Sequence, residues 1–91
     1  MAKSYHCVIE GKVKGGNFQS WIMDTAQQMN LTGWVRYLED GKAEILLQGE
    51  MMQCSRFKDK MLAEAPLPEL RDVHCEFIEH DKTFDKFEMR G

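Results

Sequence analysis

Apolar and polar positions alternate from residue 4 to residue 14, with Tyr5, Cys7 and Ile9 on one side and His6, Val8 and Glu10 on the other. A period of two with one apolar side predicts a strand that buries a single face. The period then lengthens to about 3.6 residues, as Phe18, Trp21, Ile22, Thr25, Ala26 and Met29 line one side of an amphipathic helix that Asn30 ends. The run "LTGWVRYLEDGKAEILLQG" reads as a hairpin, two strands joined at Glu39-Asp40-Gly41-Lys42, with Asp-Gly supplying the positive φ angles of a tight primed turn. Gly49-Glu50 breaks the second strand. Cys54, Phe57, Lys58, Met61, Leu62 and Ala65 then predict a second helix, stopped by the prolines of "APLPE". Two last strands follow, about 73–79 and 83–90, separated by the polar "EHDKT".

The order strand, helix, strand, strand, helix, strand, with a short closing strand, predicts an α+β fold. It is the ferredoxin-like βαββαβ sandwich, in which two helices cover one face of a mainly antiparallel sheet. No repeat, linker or low-complexity tract interrupts the chain, so residues 1–91 are expected to form one domain. Many unrelated functions use this fold, so function has to be read from particular residues.

Composition narrows the classes. Twelve basic and fifteen acidic residues, a net charge of -3, are scattered along the chain. The basic stripe of a nucleic-acid surface is missing, and no apolar run reaches the roughly 20 residues that would span a bilayer. The start "MAKSYHCVIEGK" has no apolar core of a secretion signal, which makes the cytoplasm the expected location. Cys7, Cys54 and Cys75 are then expected to be reduced thiols. His6-Cys7 and His74-Cys75 fall on strands that this fold places side by side, yet alternation turns the thiols inward and the histidines outward, so no metal site is expected. Met23, Met29, Met52 and Met61 are expected to be core filler.

The candidate chemistry lies in "GKVKGGNFQSW", residues 11–21, a strand end that enters a glycine-rich turn and then a helix. Backbone N–H groups converge on an anion in such a turn, here those of Gly15, Gly16, Asn17 and Phe18. The expected partner is a small phosphorylated or otherwise anionic ligand. The first helical positions carry no charge, which leaves Lys14 as the candidate cation, since Lys12 lies farther back along the strand. Asn17 is expected to act as the N-cap.

The stretch "EGKVKGGNFQ", followed by "LTGWVRYLEDGKAEILLQGE", closely resembles the acylphosphatases, whose first loop runs G-x-V-Q-G-V-x-F-R and whose hairpin carries G-W-V-R-N-x-x-D-G-x-V-E. Gly11, Val13, Gly15 and Phe18 match the loop; Gly33, Trp34, Val35, Arg36, Asp40, Gly41 and Glu44 match the hairpin. The resemblance extends over nearly the whole chain, to Gly49-Glu50 and the final "FEMRG". It implies hydrolysis of acyl phosphates, mixed carboxyl-phosphate anhydrides, with no metal or cofactor. It also places Gln19 where the family has its phosphate-binding arginine and Tyr37 where the family has its water-positioning asparagine. In this chain both catalytic positions are substituted. Three readings follow: an altered acylphosphatase in which Lys14 or Gln19 stands in for the arginine; a non-catalytic anion or small-ligand binding module; and an interaction protein that uses its open sheet face, including for a weak homodimer. Arg36 alternates away from Tyr37, and Tyr37 has a competing role as a packing residue beside Trp34 or Phe18.

Overall fold

The structure, a computed structural model, describes residues 2–11, 16–38, 41–65 and 70–90. Its elements are β1 (Ala2–Gly11), α1 (Gly16–Gln28), β2 (Thr32–Tyr37), β3 (Lys42–Gln48), α2 (Met51–Glu64), β4 (Leu70–His80) and β5 (Phe87–Arg90). The strands form one sheet in the order β4-β1-β3-β2-β5. All pairs are antiparallel except β2 with β5, which run parallel. This is the expected ferredoxin-like arrangement with its closing strand.

Several boundaries move. β1 is described from Ala2 to Gly11, with a register shift at Glu10/Gly11, and the predicted residues 12–14 lie outside the described residues. α1 begins at Gly16, before the first residue of its apolar stripe. Asn17 therefore lies inside the first turn and is not its cap. Asn30 closes the helix as expected, with φ 58°, while the Leu31 N–H donates to the Ala26 carbonyl at 2.9 Å. An asparagine tolerates that left-handed conformation better than other side chains except glycine. In the hairpin, the Leu38 N–H donates to the Lys42 carbonyl at 2.8 Å and Gly41 has φ 80°. Gly41 thus has the expected positive φ, while Glu39 and Asp40 lie outside the described residues. β5 starts at Phe87, not near Thr83.

Alternation sorts each strand between two environments. Tyr5, Cys7 and Ile9 of β1, Val35 of β2, Ala43, Ile45 and Leu47 of β3 and Phe87 of β5 are buried on the helix side. Phe18, Ile22 and Ala26 of α1 and Cys54, Phe57 and Met61 of α2 close over them. The apolar stripe of α2 is narrower than its sequence suggests, because Leu62 and Met52 are exposed, Met52 at 65%. Of the four methionines expected in the core, Met61 is fully buried and Met23 and Met29 pack at its margin. α2 stops at Ala65, whose extended backbone (φ -66°, ψ 148°) is the conformation favoured before a proline.

Cys7 and Cys75 stand opposite each other in the β1–β4 register and are joined by a disulfide. The expectation of reduced thiols thus fails for this pair, which alternation had correctly placed on the same face. Cys54 is a buried free thiol, and burial raises its pKa.

The face away from the helices is closed by polar means. Leu46 is 1% exposed and Trp34 7%. The guanidinium carbons of Arg36 and Arg90 lie 5.0 and 5.2 Å from the Trp34 ring centre. Glu44 accepts from the Arg36 Nε and from the His6 Nε2, each at 2.6 Å. Nearby, the buried Gln48 amide donates to the Ser4 hydroxyl at 3.0 Å and the Lys82 carbonyl at 2.8 Å, and its oxygen accepts from the Phe84 N–H at 2.8 Å. Those bonds pin the segment between β4 and β5 onto the sheet. Gly33 is needed in β2: its φ is 131°, and a Cβ there would overlap the backbone carbonyl of Leu46 in β3.

Candidate functional site

The first turn of α1 and the last residue of β2 meet at one end of the sheet. Phe18 anchors the turn in the core at 2% exposure. That anchor leaves Gln19 half-buried and Asn17 exposed. From β2, Tyr37 projects to the helix side, as Val35 does, and packs against the core margin. The preceding residue, Arg36, projects to the opposite face onto Trp34 and Glu44. Alternation predicts this separation, and it removes Trp34 as a packing partner for Tyr37.

Tyr37 also reaches the helix. Burial raises the pKa of the phenol above 10.0, and the nearby Gln19 backbone opposes that shift without cancelling it. The phenol is neutral near pH 7, so its hydroxyl can donate as well as accept.

The electrostatics of this end favour an anion. A helix N-terminus carries a partial positive charge and unsatisfied N–H groups. The first turn of α1 contains no acidic residue to neutralise it. Of the site predicted from sequence, the structure brings Phe18, Gln19 and Tyr37 together, with Gly16 and Asn17 in the same helical turn. Lys14 and Gly15 lie outside the described residues. No group of three or more His, Cys, Asp or Glu side chains that could hold a metal ion occurs among the described residues. The closeness of Tyr37 to the Gln19 backbone was not apparent from sequence, although the two family motifs that contain them hinted at it.

Fold and site define a small α+β protein in which the start of the first helix lies beside the end of the second strand. The acylphosphatase family model matches residues 5–89, and the chain belongs to the acylphosphatase family. It is similar to an acylphosphatase of Nitrosococcus oceani, 33% identical over 90 residues that cover 99% of this chain and 100% of the relative. Among solved structures, an acylphosphatase from Bacillus subtilis superposes with a TM-score of 0.88 at 22% identity, covering 98% of this chain and 99% of the other. One from Coxiella burnetii gives 0.84 at 25% identity, covering 98% and 94%. No helix among the described residues is long and apolar enough to cross a membrane.

Proposed function

We propose that this chain binds acyl phosphates at the N-terminus of α1 and hydrolyses them slowly compared with relatives that keep the family's arginine and asparagine. Membership in the family supports the hydrolase-like reaction. In that reaction a water oxygen attacks phosphorus, the bond from phosphorus to the acyl oxygen breaks, and the carboxylate leaves with the bonding pair. The protein's task is to hold the phosphoryl group and aim the water.

The observation that carries the slow rate is a neutral phenol, Tyr37, set against the Gln19 backbone at the helix start. The adjacent Gln19 side chain contributes only an uncharged amide. An arginine would offer two parallel, charge-assisted bonds to phosphate oxygens. Losing one transition-state donor costs about 100- to 1,000-fold in rate, and misplacing a reactant by about 1 Å costs on the order of 100-fold. The expected outcome of a benzoyl phosphate assay is slow turnover by the wild type and a rate at least about 100-fold higher for Gln19→Arg/Tyr37→Asn. Rates within tenfold of each other would refute the reading.

An uncharged Gln19 beside a neutral Tyr37 equally favours a second reading, a non-catalytic anion-binding module. Saturable phosphate binding without turnover by either protein would select it.

A further inference from the structure

We propose that the outer edge of β5 is a docking strip for an extended peptide segment that alternates apolar and acidic residues. β5 ends the sheet and pairs only with β2, so its outward backbone groups have no strand neighbour in the sheet. An added strand would satisfy them, with its side chains pointing alternately to the two faces.

The two faces along this edge differ in the way such a segment requires. On the helix side a groove of about 450 Å³ is lined by Met23 and Gln27 of α1 and by residues 86–89. Met89 lies there 49% exposed, an apolar side chain without a full cover. On the other face Arg90 lies over Trp34 and, at 5.4 Å, over Phe84. The ring contacts hold the guanidinium in place but bring no negative charge to it. The nearby carboxylates are already engaged. Both oxygens of Glu44 are taken by His6 and Arg36, and Glu88 pairs with Lys86 at 3.4 Å. Arg90 thus offers charge-assisted donors on the same short strand whose opposite side offers an apolar slot. A segment with carboxylates towards Arg90 and apolar side chains towards Met89 complements both. The other sheet edge, β4, carries Asp72 and Glu76 on the corresponding face and does not.

The test is an NMR titration of the intact, isotope-labelled chain with the blocked peptide acetyl-Leu-Glu-Val-Asp-Leu-amide, and with the same peptide carrying lysine at both acidic positions. Expected are shifts of the Phe87 to Arg90 amides and the Met23 and Met89 methyls with the acidic peptide. Affinity should fall about tenfold with Arg90→Glu, and added salt should weaken binding. Met89→Ser tests the apolar side separately and should also weaken binding. Equal binding of the lysine peptide would overturn the proposal, as would shifts confined to other elements or none at all. Concentration-dependent shifts of residues 87–90 without peptide would show that a second copy occupies the edge, and would overturn it too.

Discussion

The two faces of this sheet exclude water by different means. On one, two helices lay Phe18, Ile22, Phe57 and Met61 over Ile9, Val35 and Ile45, and burial of apolar area does the work. On the other no layer exists, yet Leu46 and Trp34 are as inaccessible as core residues. Their cover is made from arginine side chains and from a loop tied down by Gln48. Apolar burial tolerates small changes of shape, whereas a hydrogen-bonded cover depends on every donor and acceptor being met. The helix side can therefore accept varied side chains at its partly exposed end, such as Gln19 and Tyr37, while the core beneath it keeps the fold.

The comparison can be broken at three points, in order of effect. Phe57→Ala, which opens a cavity under α2, should cost about 3–5 kcal/mol in urea denaturation. A loss below about 1 kcal/mol would show that α2 contributes little to the core. Gln48→Ala on the other face should cost about 1–3 kcal/mol, because the Phe84 N–H loses the Gln48 oxygen and the Lys82 carbonyl loses the Gln48 amide. It should also speed amide exchange at Phe84 more than in the helices. Uniform exchange would mean that the loop does not depend on Gln48.

The smallest effect is a pH dependence. Burial pushes the Glu44 carboxyl up, but the hydrogen bonds and charges of His6 and Arg36 outweigh it, and the net pKa is lowered. A depressed carboxylate stabilises the fold above its unfolded value of about 4.3, and that contribution fades as pH falls through the folded value. Glu44→Gln should therefore flatten the loss of stability below about pH 4.3. An unchanged acid limb would remove Glu44 from the account.

Much of this was legible in the residues. The switch of period from two to 3.6 located both helices, and alternation along β1 and β2 separated Cys7 from His6 and Tyr37 from Arg36. What it missed depends on partners distant in sequence. Leu62 and Met52 were expected on the buried side of the second helix, yet both are exposed. The Cys7–Cys75 bond follows from a register that places two inward cysteines opposite each other, and the expectation of reduced thiols pointed the other way. Periodicity was equally silent about Trp34, whose cover comes from Arg90 on the last strand. At the site, the motifs named Gln19 and Tyr37, but their closeness arises only when the end of β2 is laid beside the start of α1.

The most direct test of the proposed anion site is titration of the wild-type chain with inorganic phosphate, following the backbone amides of Asn17, Phe18 and Gln19 by NMR. The account predicts saturable shifts at these three amides, and tighter binding by Gln19→Arg, which adds a charged donor beside them. Phosphate that leaves all three amides unmoved in both proteins would contradict it.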